Sequence, residues 1–152
     1  MSENDPVEEL LRVLRGGEGS DRLKELARAL AAAEERKREG PPDRAEVREW
    51  LAGNRRENPI AVNHFWTRAE AERFIDQLYS AGAERVWAEN IAYHDAEEWG
   101  GPYTDSLTVE LPREGEARAR VIALCNQHCM ADASTGAQFL DSGQPLLQLW
   151  WD

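Results

Sequence analysis

The sequence predicts an α+β fold, in which a four-stranded antiparallel sheet carries two helices on one face and follows a helical N-terminal extension of about three helices. Apolar and polar residues alternate in short segments of the second part of the chain, and two longer segments there have helical spacing. The first 53 residues show helical patterns only. We therefore predict a helical extension at 1–53, a linker at 54–59 and an α/β domain at 60–152.

Three segments of the extension have helical spacing and end at glycine. They run from Asp5 to Gly16, from Ser20 to Gly40 and from Asp43 to Gly53. Because each has only a narrow apolar stripe, we expect these helices to pack on the α/β domain and to bury Trp50. The polar segment 54–59, which ends in proline, is typical of a linker.

The α/β domain has six predicted elements. Strands are predicted at 60–66, 85–91, 106–111 and 146–151, and helices after the capping box of Thr67 and Glu70 and from about 116 to 130. This β-α-β-β-α-β order resembles the ferredoxin-like fold. The resemblance covers about residues 59–152 and consists of element order alone, so it implies no particular function.

Charge is distributed unevenly along a chain whose net charge is −11. Residues 1–58 carry 12 basic and 14 acidic side chains, whereas residues 59–152 carry 6 and 15. Such an acidic surface repels phosphate, so we expect no nucleic-acid partner. A basic protein is the favoured partner, and the alternative is that the carboxylates only maintain solubility.

Several other classes are disfavoured. No apolar stretch approaches the roughly 20 residues of a membrane span, and the acidic first residues do not resemble a signal peptide. Cys125, His128 and Cys129 share a helix but lack a second ligand pair, so we predict no metal and no cofactor. Reduced thiols fit a cytoplasmic location. Ser134 has no nucleophile or phosphate-binding motif around it.

Strand alternation predicts which side chains face away from the helices. The predicted inward set is Phe65, Val86, Ala88, Leu107, Val109, Leu147, Leu149 and Trp151. The predicted open face has Val62, His64, Trp66, Trp87, Glu89, Thr108, Glu110, Leu146, Gln148 and Trp150. Three tryptophans there would form an apolar patch. The patch would be covered by the N-terminal helices, by a second copy packed sheet to sheet, or by a protein partner or small ligand for which it is the binding platform. His64 with Glu89 and Glu110 is either an acid–base or metal site or a set of ordinary polar positions.

The loop at 92–102 has the composition of a recognition loop, because aromatic residues flank a histidine and three carboxylates. The predicted partner-binding residues are Tyr93, His94, Asp95, Glu97, Glu98, Trp99 and Tyr103. Trp99 or Tyr103 would be the buried anchor of such an interface, and the carboxylates would accelerate encounter.

We accordingly predict a non-enzymatic acidic protein-interaction module, acting as an inhibitor, immunity-type or regulatory subunit on a basic protein. A homodimer is a further possibility. The alternative is a small-molecule-binding protein or small enzyme of the dimeric α+β-barrel type. Its site would lie on the open face, with His64, Trp66, Trp87 and Glu110 as contacts.

Overall fold

The computed structural model describes residues 20–39 and 41–151. By its internal contacts the chain divides into two units, residues 1–42 and residues 43–152. The predicted helix between Asp5 and Gly16 lies outside the described residues. None of the described helices combines the length and the apolarity needed to cross a membrane.

The first unit contains helix α1, Ser20–Glu39. This is the second helix predicted from the sequence, and it begins and ends where the pattern indicated. Leu23, Leu26 and Leu30 are half-buried, whereas most other described side chains of α1 are exposed. Their spacing of three and four residues places them on one stripe of the helix.

The second unit contains the sheet. Its elements are β1 (Ala45–Glu46), α2 (Val47–Ala52), α3 (Arg68–Ala81), β2 (Arg85–Glu89), α4 (Ala96–Trp99), β3 (Ser106–Glu110), α5 (Gly115–His128) and β4 (Leu146–Trp150). The strands pair in the order β1-β2-β3-β4, and every pair is antiparallel. The predicted α+β class and four-stranded antiparallel sheet are therefore confirmed.

One face of the sheet forms the core together with the helices. The inward-facing side chains of β2, β3 and β4 are at most 3% exposed, and they join buried residues of α3 and α5 in one cluster. These side chains are Val86, Ala88, Leu107, Val109, Leu147 and Leu149. Strand alternation predicted all six, because apolar side chains occupy every second position of each strand. Thr108, predicted on the open face, is also buried, since both faces of β3 are covered at that position.

The segment 60–66 is not a strand. Ile60 forms a single isolated bridge to Thr104, and the N–H groups of His64 and Phe65 both donate to the Ala61 carbonyl, at 2.8 and 2.9 Å. Ile60 and Ala61 are adjacent and both buried, which a strand with one solvent face does not permit. The strand beside β2 is instead β1, so the ferredoxin-like order is not confirmed.

The third predicted helix begins at Val47 rather than at Asp43, because Glu46 caps it by accepting a hydrogen bond from the Glu49 N–H at 2.9 Å. Val47 and Leu51 are buried in the core of the second unit. Trp50 is half-buried against that core. Residues 43–53, predicted as part of the extension, therefore contribute to the α/β unit itself.

The connection from α5 to β4 is tied down by two polar side chains. Arg118, only 6% exposed, donates to the Asp141 carboxylate at 2.9 Å and to the Gln144 carbonyl at 2.7 Å. The Asn126 side chain donates to the Phe139 carbonyl at 3.0 Å. These bonds position the residues that lead directly into β4.

Candidate partner-binding cleft

A cleft of about 350 Å³ lies between the segment 56–62 and the acidic loop. It is lined by Arg56, Glu57, Asn58, Val62, Glu98 and Trp99. The predicted linker is therefore one wall of the cleft, and the predicted recognition loop is the other. We call it the Trp99 cleft.

Asn54 joins the two walls. Its side-chain N–H donates to the Pro102 carbonyl at 2.9 Å, and its side-chain oxygen accepts from the Arg56 N–H at 2.9 Å. The Arg55 N–H donates to the Gly100 carbonyl at 3.1 Å. Asn54 is 4% exposed, so these bonds are shielded from water and the segment is not a free linker.

Arg68, at the start of α3, fixes the same segment from the other side. Its guanidinium donates to the Leu51 carbonyl at 2.6 Å, to the Arg56 carbonyl at 3.3 Å and to the Asn54 carbonyl. A fourth bond joins it to the Glu72 carboxylate at 2.7 Å. A planar guanidinium satisfies several carbonyls at once, so one side chain holds the segment in place.

The short helix α4 presents Trp99 at the rim of the cleft. Asp95 before α4 has φ +60° and Gly100 after it has φ +85°, so a residue in the left-handed conformation bounds the helix at each end. Trp99 is left 58% exposed. Glu97 and Glu98 are exposed beside it, and Val62 on the opposite wall is 46% exposed.

Arg56, which lines the cleft, and Val62 on the same wall are both in contact with Tyr103. The Arg56 guanidinium lies 4.9 Å from the centre of the Tyr103 ring and 5.9 Å from the centre of the Trp99 ring. The Tyr103 hydroxyl accepts a hydrogen bond from the Val62 N–H at 3.1 Å. An indole, an apolar side chain, a cation and carboxylates thus meet within one concave surface.

The predicted loop residues divide into three groups. Glu98 and Trp99 line the cleft, and Tyr103 supports it. His94, Asp95 and Glu97 are exposed but do not line it. Tyr93 packs against the core, where burial and the nearby Asp43 carboxylate raise the pKa of its hydroxyl.

The open sheet face has five of the seven side chains predicted for it as a site. Trp87 donates its indole N–H to the Glu110 carboxylate at 3.0 Å, and Glu89 pairs with Arg44 at 2.8 Å. The Arg44 guanidinium also lies 4.3 Å from the centre of the Trp87 ring. Gln148 is exposed, and Trp150 is 56% exposed.

His64 and Trp66 do not belong to this face, because the segment that carries them is not a strand. Trp66 is 80% exposed, and its backbone N–H donates to the Glu70 carboxylate at 2.8 Å. His64 lies 3.1 Å, between ring nitrogens, from His128 on α5. The predicted site of His64 with Glu89 and Glu110 is therefore not assembled.

The histidine pair packs among aromatic rings. His64 stacks on Trp151 with ring centres 5.7 Å apart, and the His128 ring centre lies 4.4 Å from that of Phe74. Burial lowers the pKa of both imidazoles, and the neighbouring imidazole lowers the pKa of His128 further, whereas Glu70 opposes the shift at His64. The folded chain therefore favours the neutral form of both rings. The two histidines are 64 residues apart in the sequence, and no local pattern marks them as a pair.

Cys125 and Cys129 are buried free thiols. Burial raises the pKa of Cys125 to about 12 and also raises that of Cys129. No three His, Cys, Asp or Glu side chains of residues 21–35 and 41–151 are grouped closely enough to bind a metal ion.

Comparison with known proteins gives no relative from which a role for the Trp99 cleft can be transferred. No family model matches the chain, and no significant match was found among the curated proteins or the solved structures.

Proposed function

We propose that the chain is a non-enzymatic interaction protein that binds a basic protein at the Trp99 cleft, as an inhibitor, immunity-type or regulatory subunit. The observation that carries this proposal is Trp99, an exposed indole held on a supported loop at the rim of a concave surface. Aromatic side chains in such positions are frequent anchors of protein interfaces.

Charge supports a basic partner. The second unit has 10 basic and 19 acidic residues, and the carboxylates of Glu97 and Glu98 flank the anchor. Carboxylates around an apolar anchor steer a cationic partner and raise its association rate, whereas the anchor itself determines how slowly the complex dissociates.

The test is affinity capture of a stoichiometric partner from the source organism, followed by titration of the purified pair over a salt series. Replacing Trp99 with Ala should weaken binding by about 30-fold or more. Trp66→Ala is the matched control, since Trp66 is more exposed than Trp99 but does not line the cleft. Equal effects of the two substitutions, or affinity that increases with salt, would argue against the proposal.

A second candidate function is small-molecule binding on the open sheet face. A groove of about 310 Å³ lies there, and its lining includes Glu89, Ser106, Thr108, Gln148 and Trp150. A ligand bound in this groove would change the fluorescence of Trp150, so a screen of small metabolites against wild type and Trp150→Phe tests it. A basic partner at the Trp99 cleft would leave that signal unchanged.

A further inference from the structure

The outer edge of β4 offers unpaired backbone groups. β4 is the last strand of the sheet, so among the described strands β3 alone lies beside it. The backbone N–H of Trp151 donates to the Asp105 carbonyl at 3.0 Å, and the backbone N–H of Leu111 donates to the Pro145 carbonyl at 2.9 Å. In an antiparallel ladder this pattern directs the odd-numbered residues of β4 to β3 and the even-numbered ones away from it.

The outward groups are therefore the N–H and C=O of Leu146, Gln148 and Trp150. The Trp150 carbonyl accepts a hydrogen bond from the Cys129 thiol at 3.3 Å. Among residues 41–151, no hydrogen bond joins a protein group to the outward backbone of Leu146 or Gln148. This part of the edge is open to another strand.

β4 is short and follows Pro145, but the strand itself has none of the side chains by which proteins usually protect an edge. The strand, LLQLW, contains neither a charged residue nor proline. Leu146 is 41% exposed and Trp150 is 56% exposed, and Gln148 is exposed between them. Edge strands of monomeric proteins more often carry lysine, proline or a bulge, which prevent pairing with another chain.

We propose that a second copy of this chain pairs with β4 in the antiparallel direction, around a two-fold axis at Gln148. In this register Gln148 faces the partner's Gln148, and Leu146 faces the partner's Trp150. Every outward N–H and C=O of the three residues then meets a complementary group. The arrangement is self-complementary, as a two-fold dimer requires, and it joins two sheets edge to edge.

The charge of the chain favours a second copy, rather than the basic protein proposed for the Trp99 cleft, as the partner that pairs with β4. Each copy has a net charge of −11, so two copies associate most easily along a surface without carboxylates. β4 itself has no charged side chain, and Ser106 and Thr108 opposite it on β3 are also uncharged. The one carboxylate opposite β4, that of Glu110, already accepts the Trp87 indole N–H at 3.0 Å. A basic partner would gain no ion pair from β4 itself. Screening by salt should therefore strengthen the dimer.

The paired edge is short, with five residues in each β4 strand. It buries less than the roughly 1,200 Å² at which standard protein interfaces begin. We expect the full chain to change from monomer to dimer as its concentration rises from micromolar to near-millimolar, as analytical ultracentrifugation measures. The dimer fraction should increase when salt is added.

Two substitutions test the edge itself. Gln148→Pro removes a backbone N–H that points away from β3. The hydrogen bonds between β3 and β4 therefore stay intact, while pairing with the β4 strand of a second copy is blocked. Leu146→Lys adds a charge at the same edge, and Leu140→Lys is its control, because Leu140 is 78% exposed and lies outside β4. Both edge substitutions should raise the dissociation constant about tenfold or more, and the control should not.

Cross-linking tests the register. Facing residues of an antiparallel pair have Cα atoms about 5.5 Å apart, which suits a disulfide. Gln148→Cys should therefore form an oxidised dimer, whereas Leu140→Cys should not, and the wild-type thiols are buried. A chain that stays monomeric at every concentration would overturn the proposal. So would a dimer that Trp87→Lys disrupts and the two edge substitutions do not, because that result would indicate sheet-to-sheet packing.

Discussion

Gly101 lies so close to Asn54 that a β-carbon at position 101 would come within 1.9 Å of the Asn54 side-chain oxygen. That oxygen accepts the hydrogen bond from Arg56, so Asn54 cannot rotate away without losing it. The contact sets the distance between the two walls of the Trp99 cleft.

Replacing Gly101 with Ala should therefore displace Asn54 and lower the free energy of unfolding by about 1–3 kcal/mol, as overpacking of a buried site does. Urea denaturation measures this change. Gly53→Ala is the control, because no atom lies within 4 Å of a β-carbon built there. Similar losses in both variants would mean that the close approach does not support the cleft.

Neutralising Glu97 and Glu98, the exposed carboxylates beside Trp99, should change the rate at which the partner associates. For the double variant Glu97→Gln/Glu98→Gln we expect slower association with the basic partner, a weaker dependence of that rate on salt, and a nearly unchanged dissociation rate. Stopped-flow measurements over a salt series separate these quantities. Glu84→Gln/Glu116→Gln removes equal charge outside the cleft lining, and an identical effect there would show that only net charge matters.

Stability should fall as pH decreases through the range in which histidine titrates. Because burial lowers the pKa of His64 and His128 in the folded chain, the unfolded chain binds more protons near and just below pH 6.5. The free energy of unfolding should be highest above that range and decline below it, before carboxylates begin to titrate. His128→Gln should flatten this decline in urea denaturation measured from about pH 7.5 to 5.5. An unchanged slope would contradict the assignment.

The two thiols should be unreactive in the folded protein. Cys125, whose pKa is raised to about 12, contains almost no thiolate at pH 8, and Cys129 is buried and donates to the Trp150 carbonyl. Labelling with a disulfide reagent should become rapid only in denaturant. Fast labelling of the native protein would show that the end of α5 opens readily.

Truncation should distinguish the two units. Within the part of the chain that the structure describes, every buried residue of the hydrophobic core lies between Val47 and Trp151, so a fragment of residues 43–152 should melt cooperatively. A fragment of residues 54–152 also loses β1, Val47 and Leu51, and buried side chains of this size contribute about 2–5 kcal/mol each when removed. It should melt at a much lower temperature in circular dichroism, or not fold. Equal melting temperatures would exclude residues 43–53 from the core.

The sheet could largely be predicted from the sequence because apolar and polar residues alternate in β2, β3 and β4. In β2 and β4 burial alternates in the same way, whereas β3 also buries its polar residues Ser106 and Thr108. The same rule failed at 60–66, where Ile60 and Ala61 are buried as neighbours in a turn. β1 has two residues, too few to show any period. Capping patterns located α3 correctly but misplaced the start of α2, since Glu46 rather than Asp43 is its cap.

The candidate site could be predicted only in part. The sequence predicts Trp99 as an anchor because aromatic residues of this loop flank a histidine and three carboxylates, and that prediction awaits a binding experiment. The roles of Asn54 and Arg68 depend on contacts between distant positions, such as the bond from Asn54 to Pro102, 48 residues away. His64 and His128 are 64 residues apart. No local pattern marks such pairs, because the fold alone brings them together.

The anchoring of the α5–β4 connection at Arg118 and Asn126 has a practical consequence for protein engineering. The residues from Ala131 to Gly136 are all exposed, while the bonds that set the start of β4 lie further along the chain, at residues 139–144. An epitope or fluorescent reporter inserted between Ser134 and Thr135 would therefore lengthen the connection without shifting β4 against β3.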